Sequence, residues 1–405
     1  MTKINKITKQ KKIIIHKDSA VITTGRDPDN NFGVVNPPVY HASTILYPTL
    51  DALEEGIKTP YNGTRYGRRG TPTTFAIEDA MTELEQGYRT IAVSSGLNAI
   101  TTTLLAFLEN GDHLLMVDSV YGPTRAFCNG VLKKLGIETT YYDPCIGDEF
   151  TGLIRDNTKV VFCETPGSHT FELQDMDLIA GIAHQHDVVV VADNTWAAGY
   201  YYRPLEHGAD VSIQAATKYI VAHSDAMLGT ITCKENVFLK VKRMSALLGV
   251  HAAPDDCYLA SRGIRTLAVR MAQHNKSAFD IANWLMARDE VETVLHPALP
   301  SCPGHAIWKR DFTGSSGLFS FVLNPGYSRE DLARMLDGMQ LFTMGFSWGG
   351  FESLIIPGEG KTERTVYQPS FKGTPLRVHI GLEYVDDLKA DLAAGLARLK
   401  SRKSS

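Results

Sequence analysis

The strongest constraint in this 405-residue chain is a set of short, unbroken apolar runs that alternate with helical patterns between about residues 80 and 235. The runs occupy 90–94, 113–118, 159–164, 188–193, 211–215 and 228–233. A strand with one wet face alternates apolar and polar residues. Most of these runs do not, so both faces must be covered. Helical stretches between them serve as crossovers, and the combination predicts an α/β fold around a mainly parallel sheet. After about residue 265 the texture changes. Leu267, Met271, Ala278, Ile281 and Leu285 lie on one face of a long helix suited to brace two domains. Leu376, Val378, Ile380 and Leu382 alternate with Arg377, His379, Gly381 and Glu383, the pattern of a half-buried antiparallel strand. Ser328 precedes a helix striped by Leu332, Met335, Leu336 and Met339, and Leu388, Leu392, Leu396 and Leu399 mark a closing amphipathic helix. The expected division is an N-terminal extension with a loop-rich arm (1–75), a large domain (76–265) and a smaller C-terminal α+β domain (266–405). Pro37, Pro38, Pro48, Pro60 and Pro72 interrupt regular structure in the arm, and loop-rich stretches of that length serve a site or hold a partner subunit.

Charge and composition exclude other classes. Forty-one Lys+Arg stand against 45 Asp+Glu, which leaves no basic surplus for a nucleic-acid partner. No apolar stretch approaches the ~20 residues that span a bilayer. Cysteines at 128, 145, 163, 233, 257 and 302 form no C-x-x-C pair and are too sparse for a disulfide scaffold. They read as buried thiols of a reducing compartment, the cytoplasm. The head, residues 1–17, carries Lys3, Lys6, Lys9, Lys11, Lys12 and Lys17 with no acid before Asp18. It lacks the features of a signal or transit peptide. It reads as a mobile solvated extension, the alternative being a basic arm that touches nucleic acid or an acidic partner.

Open parallel sheets bind ligands beyond the carboxyl ends of their strands. Three features stand there. Ser94-Ser95-Gly96-Leu97-Asn98 joins a strand to a helix, where free N–H groups approached through glycine bind phosphate; the plainer reading is a capped turn. This stretch matches neither G-x-G-x-x-G nor G-x-x-x-x-G-K-[ST], which disfavours a dinucleotide or nucleoside triphosphate site. Asp193 ends a fully apolar run, a poor place for an acid without a cationic partner. Lys218 follows the run 211–215 with Thr217 beside it; a lysine so placed either snorkels or is used covalently. A phosphate cradle, an acid and a lysine at strand ends of one sheet are together what pyridoxal phosphate requires. His184 and His186 read as surface histidines, with no further ligand at usable spacing and so no metal site, and His169 stands near the expected cleft.

At these residues the sequence resembles the pyridoxal-phosphate enzymes of cysteine and methionine metabolism, from about Thr23 to near the C-terminus. The resemblance rests on five stretches. They are Tyr66-Gly67-Arg68-Arg69-Gly70, Glu164-Thr165-Pro166-Gly167-Ser168, Asp193-Asn194-Thr195-Trp196, Ala216-Thr217-Lys218-Tyr219 with His223-Ser224-Asp225, and Arg377-Val378-His379-Ile380-Gly381-Leu382-Glu383. It implies the type I, aspartate-aminotransferase-like fold. It also implies that Lys218 carries the cofactor, Asp193 pairs with the ring nitrogen and Tyr121 stacks on the ring. Gly96, Leu97 and Thr217 would hold the phosphate with Ser95 nearby, and Tyr66 and Arg68 would reach the phosphate of a neighbouring subunit. The assembly would be a dimer at least, usually a homotetramer. Arg377 would clamp the substrate α-carboxylate, in keeping with its polar phase on the strand and with bidentate guanidinium–carboxylate pairing.

Within the family, Ser347-Trp348-Gly349-Gly350-Phe351 has Trp348 where γ-lyases and synthases commonly have Leu. Together with Glu164–Ser168 and the stretch 193–199, it resembles the bacterial cystathionine β-lyase branch. That implies an amino-acid thioether substrate, bound through Ser347, Trp348, Tyr66 and Arg377. Lys218, freed by the incoming amine, would take the Cα proton. A thiolate would then leave Cβ, protonated by Lys218 or Tyr121, and pyruvate and ammonia would follow. Alternatives are another carbon–sulfur lyase or synthase of the family and, from a different class, a cofactor-bearing regulator that uses the basic head.

Overall fold

The computed structural model describes residues 16–358 and 364–399. Strands β1 (Arg89–Val93), β2 (His113–Val117), β3 (Glu138–Tyr142), β4 (Thr158–Glu164), β5 (Val189–Asp193), β6 (Val211–Gln214) and β7 (Gly229–Cys233) form one sheet in the order β1-β7-β6-β5-β4-β2-β3. All six expected runs are strands of this sheet. Strands β3, β2, β4, β5 and β6 are parallel, whereas β7 runs antiparallel to both β6 and β1. The reversal has a simple cause: no helix separates β6 from β7, so the chain returns directly, as an antiparallel pair permits. The edge strand β3 is not marked by any apolar run, because only Tyr142 of its five residues is buried. It is tied to the sheet partly by His113, whose ring nitrogens lie 2.8 and 2.9 Å from the hydroxyls of Thr158 on β4 and Thr140 on β3.

A second sheet contains β8 (Val291–Leu295), β9 (Leu318–Leu323), β10 (Leu354–Pro357) and β11 (Pro375–His379) in the order β10-β11-β9-β8, every pair antiparallel. The expected strand through Leu382 stops at His379, where Ile380 turns away to bond Gly317. Two hydrophobic cores result, and the helix Leu267–Met286 enters both. Its Leu267 and Met271 pack into the first core, and its Ala278, Ile281, Ala282 and Leu285 into the second. Ser328 caps the helix Arg329–Leu336 through a reciprocal box with Asp331.

The arm is more ordered than its prolines suggest. It holds helices Lys17–Thr23 and Leu50–Lys58 and a short turn of helix at Gly67–Arg69. Most of the lysine-rich head lies outside the described residues. Lys17 is not solvated as expected: its Nζ donates to the Tyr200 carbonyl at 2.9 Å and to Thr313 Oγ1 at 3.0 Å. Val21 of the same helix enters the first core. Farther along, Phe32, Leu46, Leu50 and Ile57 expose large apolar side chains.

The second core is small, so its largest residues weigh heavily. Phe321 on β9 is fully buried there. Phe321→Ala is expected to cost about 3–5 kcal/mol, measured as a lower denaturant midpoint. A loss under about 1 kcal/mol would mean that the cavity collapses or that this core is loosely packed.

Candidate active site

The two reversals at β7 leave β1 pointing the same way as β6, so β1, β5 and β6 all deliver their carboxyl ends to one edge of the sheet. The cradle, the acid and the lysine expected from the sequence are therefore neighbours. The helix Gly96–Phe107 starts directly after β1, and Ser95 Oγ caps it by accepting the Asn98 N–H at 3.1 Å. Gly96 is required by proximity. A Cβ there would lie 2.4 Å from Ala215 Cβ, so the helix start rests against the segment that leads to Lys218. Thr217 is held close by a bond from its N–H to the Leu228 carbonyl, and its hydroxyl accepts the Leu228 N–H. Ser95, Gly96, the partly exposed Leu97 and Thr217 thus frame a helix N-terminus whose first-turn N–H groups are suited to a phosphate.

Asp193 sits at the end of β5. The Thr195 N–H (3.0 Å) and hydroxyl (2.6 Å) both donate to its Oδ1, and Oδ2 receives no hydrogen bond among the described residues. Burial raises its pKa, opposed by those two bonds and by Lys218. A half-buried, desolvated carboxylate with one oxygen uncommitted calls for a cation or an N–H. Lys218 Nζ donates to Ser347 Oγ at 2.5 Å and lies 5.2 Å from the centre of the Trp348 ring. Desolvation and the nearby Arg377 guanidinium bring its pKa down to about 8, against the pull of Asp193. Ser347 occupies the left-handed region at φ +78°, and its carbonyl accepts Arg377 Nη2 at 3.1 Å. One strained serine from the second sheet's side of the molecule therefore touches both the lysine and the arginine. The strand of backbone that follows is equally close: a Cβ on Gly349 would lie 2.9 Å from Lys218 Cα.

Tyr121 completes the ring of groups. Its backbone N–H donates to Glu164 Oε2 at 2.7 Å and its side chain is 44% exposed, which leaves a face open for stacking. Burial, then Glu164 and Asp193, raise its pKa, so the phenol keeps its proton at neutral pH. Arg377 is lowered to about 10 by burial and stays a cation. Lys218, Asp193, Tyr121, Arg377, Ser347 and Trp348 are thus brought together. Tyr66 and Arg68 are not: Arg68 Nη1 donates to the Ala246 carbonyl of its own chain at 3.0 Å, and Tyr66 is exposed. His169 adopts φ +67°, and its Nδ1 is buried without a hydrogen-bond partner among the described residues. Burial and two guanidiniums, Arg377 and Arg364, push it down to about 4, so it is neutral. His184 is exposed, and its Nε2 lies 3.0 Å from Asp210 Oδ2.

Three acids were not singled out from the sequence. Glu164 and Asp118 end apolar runs just as Asp193 does, so the same signal marks them. Glu164 is the ladder partner of Asp193. Asp118 is fully buried, accepts the backbone N–H groups of Thr365, Val366 and Tyr367, each at 2.9 Å, and takes Arg125 Nη2 on Oδ1 at 2.6 Å. Glu85 ends the helix Pro72–Glu85, and no local pattern distinguishes it. It is 0% exposed and accepts from the side-chain amides of Gln214 and Asn194.

An uncommitted oxygen on a desolvated acid, a desolvated lysine and a helix N-terminus at one sheet edge fit pyridoxal phosphate at its three polar points: ring nitrogen, aldehyde and phosphate. These features define a pyridoxal-phosphate enzyme. The family model of the Cys/Met metabolism PLP-dependent enzymes matches residues 18–397, and the chain belongs to that family. It is 46% identical over 388 residues to the cystathionine β-lyase of Salmonella typhimurium, covering 94% of this chain and 98% of the relative. It is 44% identical to the cystathionine β-lyase of Escherichia coli, with the same coverage of both chains. The crystal structure of cystathionine γ-synthase from Xanthomonas oryzae pv. oryzae, in complex with aminoacrylate and cysteine, superposes with a TM-score of 0.88 at 29% identity. That match covers 96% of this chain and 99% of the other.

Burial pushes Glu85 from 4.5 up to about 7. The folded state then holds a proton that the unfolded chain has already released, so this group's contribution to stability falls as pH rises from about 4.5 through about 7. Denaturant unfolding of wild type and Glu85→Gln across that range is expected to show the variant gaining on the wild type as pH rises. A constant difference would remove Glu85 from the pH-sensitive groups.

Proposed function

We propose that this chain is a carbon–sulfur lyase that opens L-cystathionine by α,β-elimination to L-homocysteine, pyruvate and ammonia, a step of methionine biosynthesis. The observation that carries the reading is the amino group of Lys218, desolvated and bonded to Ser347 between Asp193 and Arg377. A base must be neutral to take a proton, and a lysine lowered to about 8 is near that condition at physiological pH. Lys218 is the residue that removes the proton from the substrate Cα. Asp193 holds a proton on the ring nitrogen of the cofactor, which, when bound, supplies an aldehyde for the amino group and an electron sink. Arg377 binds the α-carboxylate and thereby fixes the direction in which the Cα–H bond points. Tyr121 covers the ring and, still protonated, is one of two groups able to protonate the departing thiolate; Lys218 is the other. Trp348 walls the site beside the lysine, and Ser347 orients the amine. The names of the relatives support β- over γ-elimination. A γ reaction needs a second deprotonation, at Cβ, and hence a differently placed base.

The apolar arm supports an assembly in which Tyr66 and Arg68 reach the cofactor phosphate of a neighbouring copy, in a homotetramer of dimers that share sites. Six free thiols, five of them buried, support a cytoplasmic location. Among the described residues no helix is long and apolar enough to cross a membrane.

Lys218→Ala is expected to lose the visible absorbance of the attached cofactor and at least about 10³-fold in turnover. A coloured, active Lys218→Ala would overturn the assignment. Asp193→Ala should bind the cofactor weakly and turn over slowly, and wild-type rates would contradict its role. With L-cystathionine, pyruvate plus homocysteine marks β-elimination, whereas 2-oxobutyrate plus cysteine would place the chain among the γ-lyases. The shared site is tested by mixing: Arg68→Ala and Lys218→Ala, each nearly inactive, should regain activity as hybrids, and no recovery would confine each site to one chain.

A further inference from the structure

The acid and the lysine at the heart of the site stand on different strands, β5 and β6, and something must set the distance between their ends. Thr195 does part of this. Its hydroxyl donates to Asp193 and accepts the N–H of Ala215 at 2.9 Å, so it bridges the two strand ends. A second bridge lies beneath it. Asn194, between Asp193 and Thr195, bonds through its backbone N–H to the Ile213 carbonyl at 2.8 Å, and its side-chain amide donates to the Tyr202 carbonyl at 3.0 Å and to both oxygens of Glu85 at 3.3 Å. Gln214, the last residue of β6 and four before Lys218, donates its side-chain amide to Glu85 Oε1. Gly199 approaches from a third direction: a Cβ there would meet Glu85 Oε1 at 3.0 Å, and its φ is +66°.

Glu85 has no cation within salt-bridge distance among the described residues, and its acceptors are spent on the two amides that flank the site. A buried carboxyl group is a costly way to fill space, since an apolar side chain has no charge or polar atom of its own to desolvate. Its two oxygens do what an apolar side chain cannot, accepting donors from both strands at once.

We propose that Glu85 is a positioning residue that clasps the Asp193 turn to the strand end leading to Lys218, and so sets the spacing of acid and lysine on which cofactor binding depends. This rests on the reading of Asp193 and Lys218 as the cofactor's ring-nitrogen and aldehyde partners. Removal of one acceptor leaves Asn194 or Gln214 with a buried, unmatched amide and frees the two strand ends to shift. Outer supports of this kind act on the scale of about tenfold in affinity for what the inner groups hold.

The test uses apo-protein titrated with pyridoxal 5′-phosphate, read by absorbance, together with the visible circular dichroism of the bound cofactor and the melting temperature of the apo-protein. Glu85→Gln is expected to bind the cofactor about tenfold more weakly and to change the amplitude of the dichroic band, which reports ring tilt. Gln214→Leu removes a donor and keeps the acid. It is expected to move both readouts the same way, and it decides the matter if Glu85→Gln does not fold. Affinity and dichroism that stay at wild-type values while the melting temperature falls would make Glu85 a support of the fold alone and overturn the proposal. Wild-type apo-protein that takes up no cofactor would instead overturn the reading of the site.

Discussion

An ammonium group kept from water, with a guanidinium nearby, is the interaction on which the rest of this structure turns. Lys218 has an opposite charge within reach in Asp193, yet burial and Arg377 outweigh it, and the amine settles at about 8. That balance requires a rigid surround. It is supplied by Ser347 in a left-handed conformation, by a glycine that lets backbone run against the lysine Cα, and by the helix start pressed on Ala215 through Gly96. Each of these gives up some local comfort, strained dihedrals or lost side chains, so that one nitrogen stays in place without full solvation.

The lysine, its acid and the helix N-terminus lie at strand ends of the first core, whereas Arg377 comes from a strand of the second, and Ser347 lies between Phe342 of the second core and Trp348, which packs against the first. Neither core makes a site alone. The serine carbonyl that receives Arg377 belongs to the residue whose hydroxyl receives Lys218, so carboxylate clamp and base share a single residue as reference point.

The parallel strands and the three polar features at their ends were legible in the sequence because burial on both faces leaves unbroken apolar runs, and polar residues that end such runs stand out. The same rule reaches Glu164 and Asp118, whose runs were recognised though their acids were not. It does not reach β3, which lies at an edge and is mostly polar, nor Glu85, whose neighbours on its helix look like any helical surface. Glu85 becomes visible only when strands far apart in sequence are set side by side, since its partners are residues 194 and 214. The ordered arm was hidden for the opposite reason: prolines signal loops but do not forbid short helices between them. Arg68 shows a further limit. Its motif is local, whereas the group that it contacts within its own chain, the Ala246 carbonyl, lies 178 residues away.

Asp118 carries a consequence for how this chain can vary. Its carboxylate sits at the end of β2, yet three of its donors are consecutive backbone N–H groups of residues 365–367, and Arg364 beside them bonds the Asp118, Ser168 and Thr170 oxygens. Main-chain donors depend on path rather than on residue identity. The segment can therefore change its side chains at 366 and 367 to any residue but proline, whereas the Thr365 hydroxyl also accepts Arg125 Nη1 at 3.0 Å, and it cannot change its length or route without stripping three donors from a buried negative charge. Chimaeras that graft a differently shaped stretch onto this rim would need a neutral residue at 118, while side-chain changes confined to 366 and 367 would leave the anchor untouched.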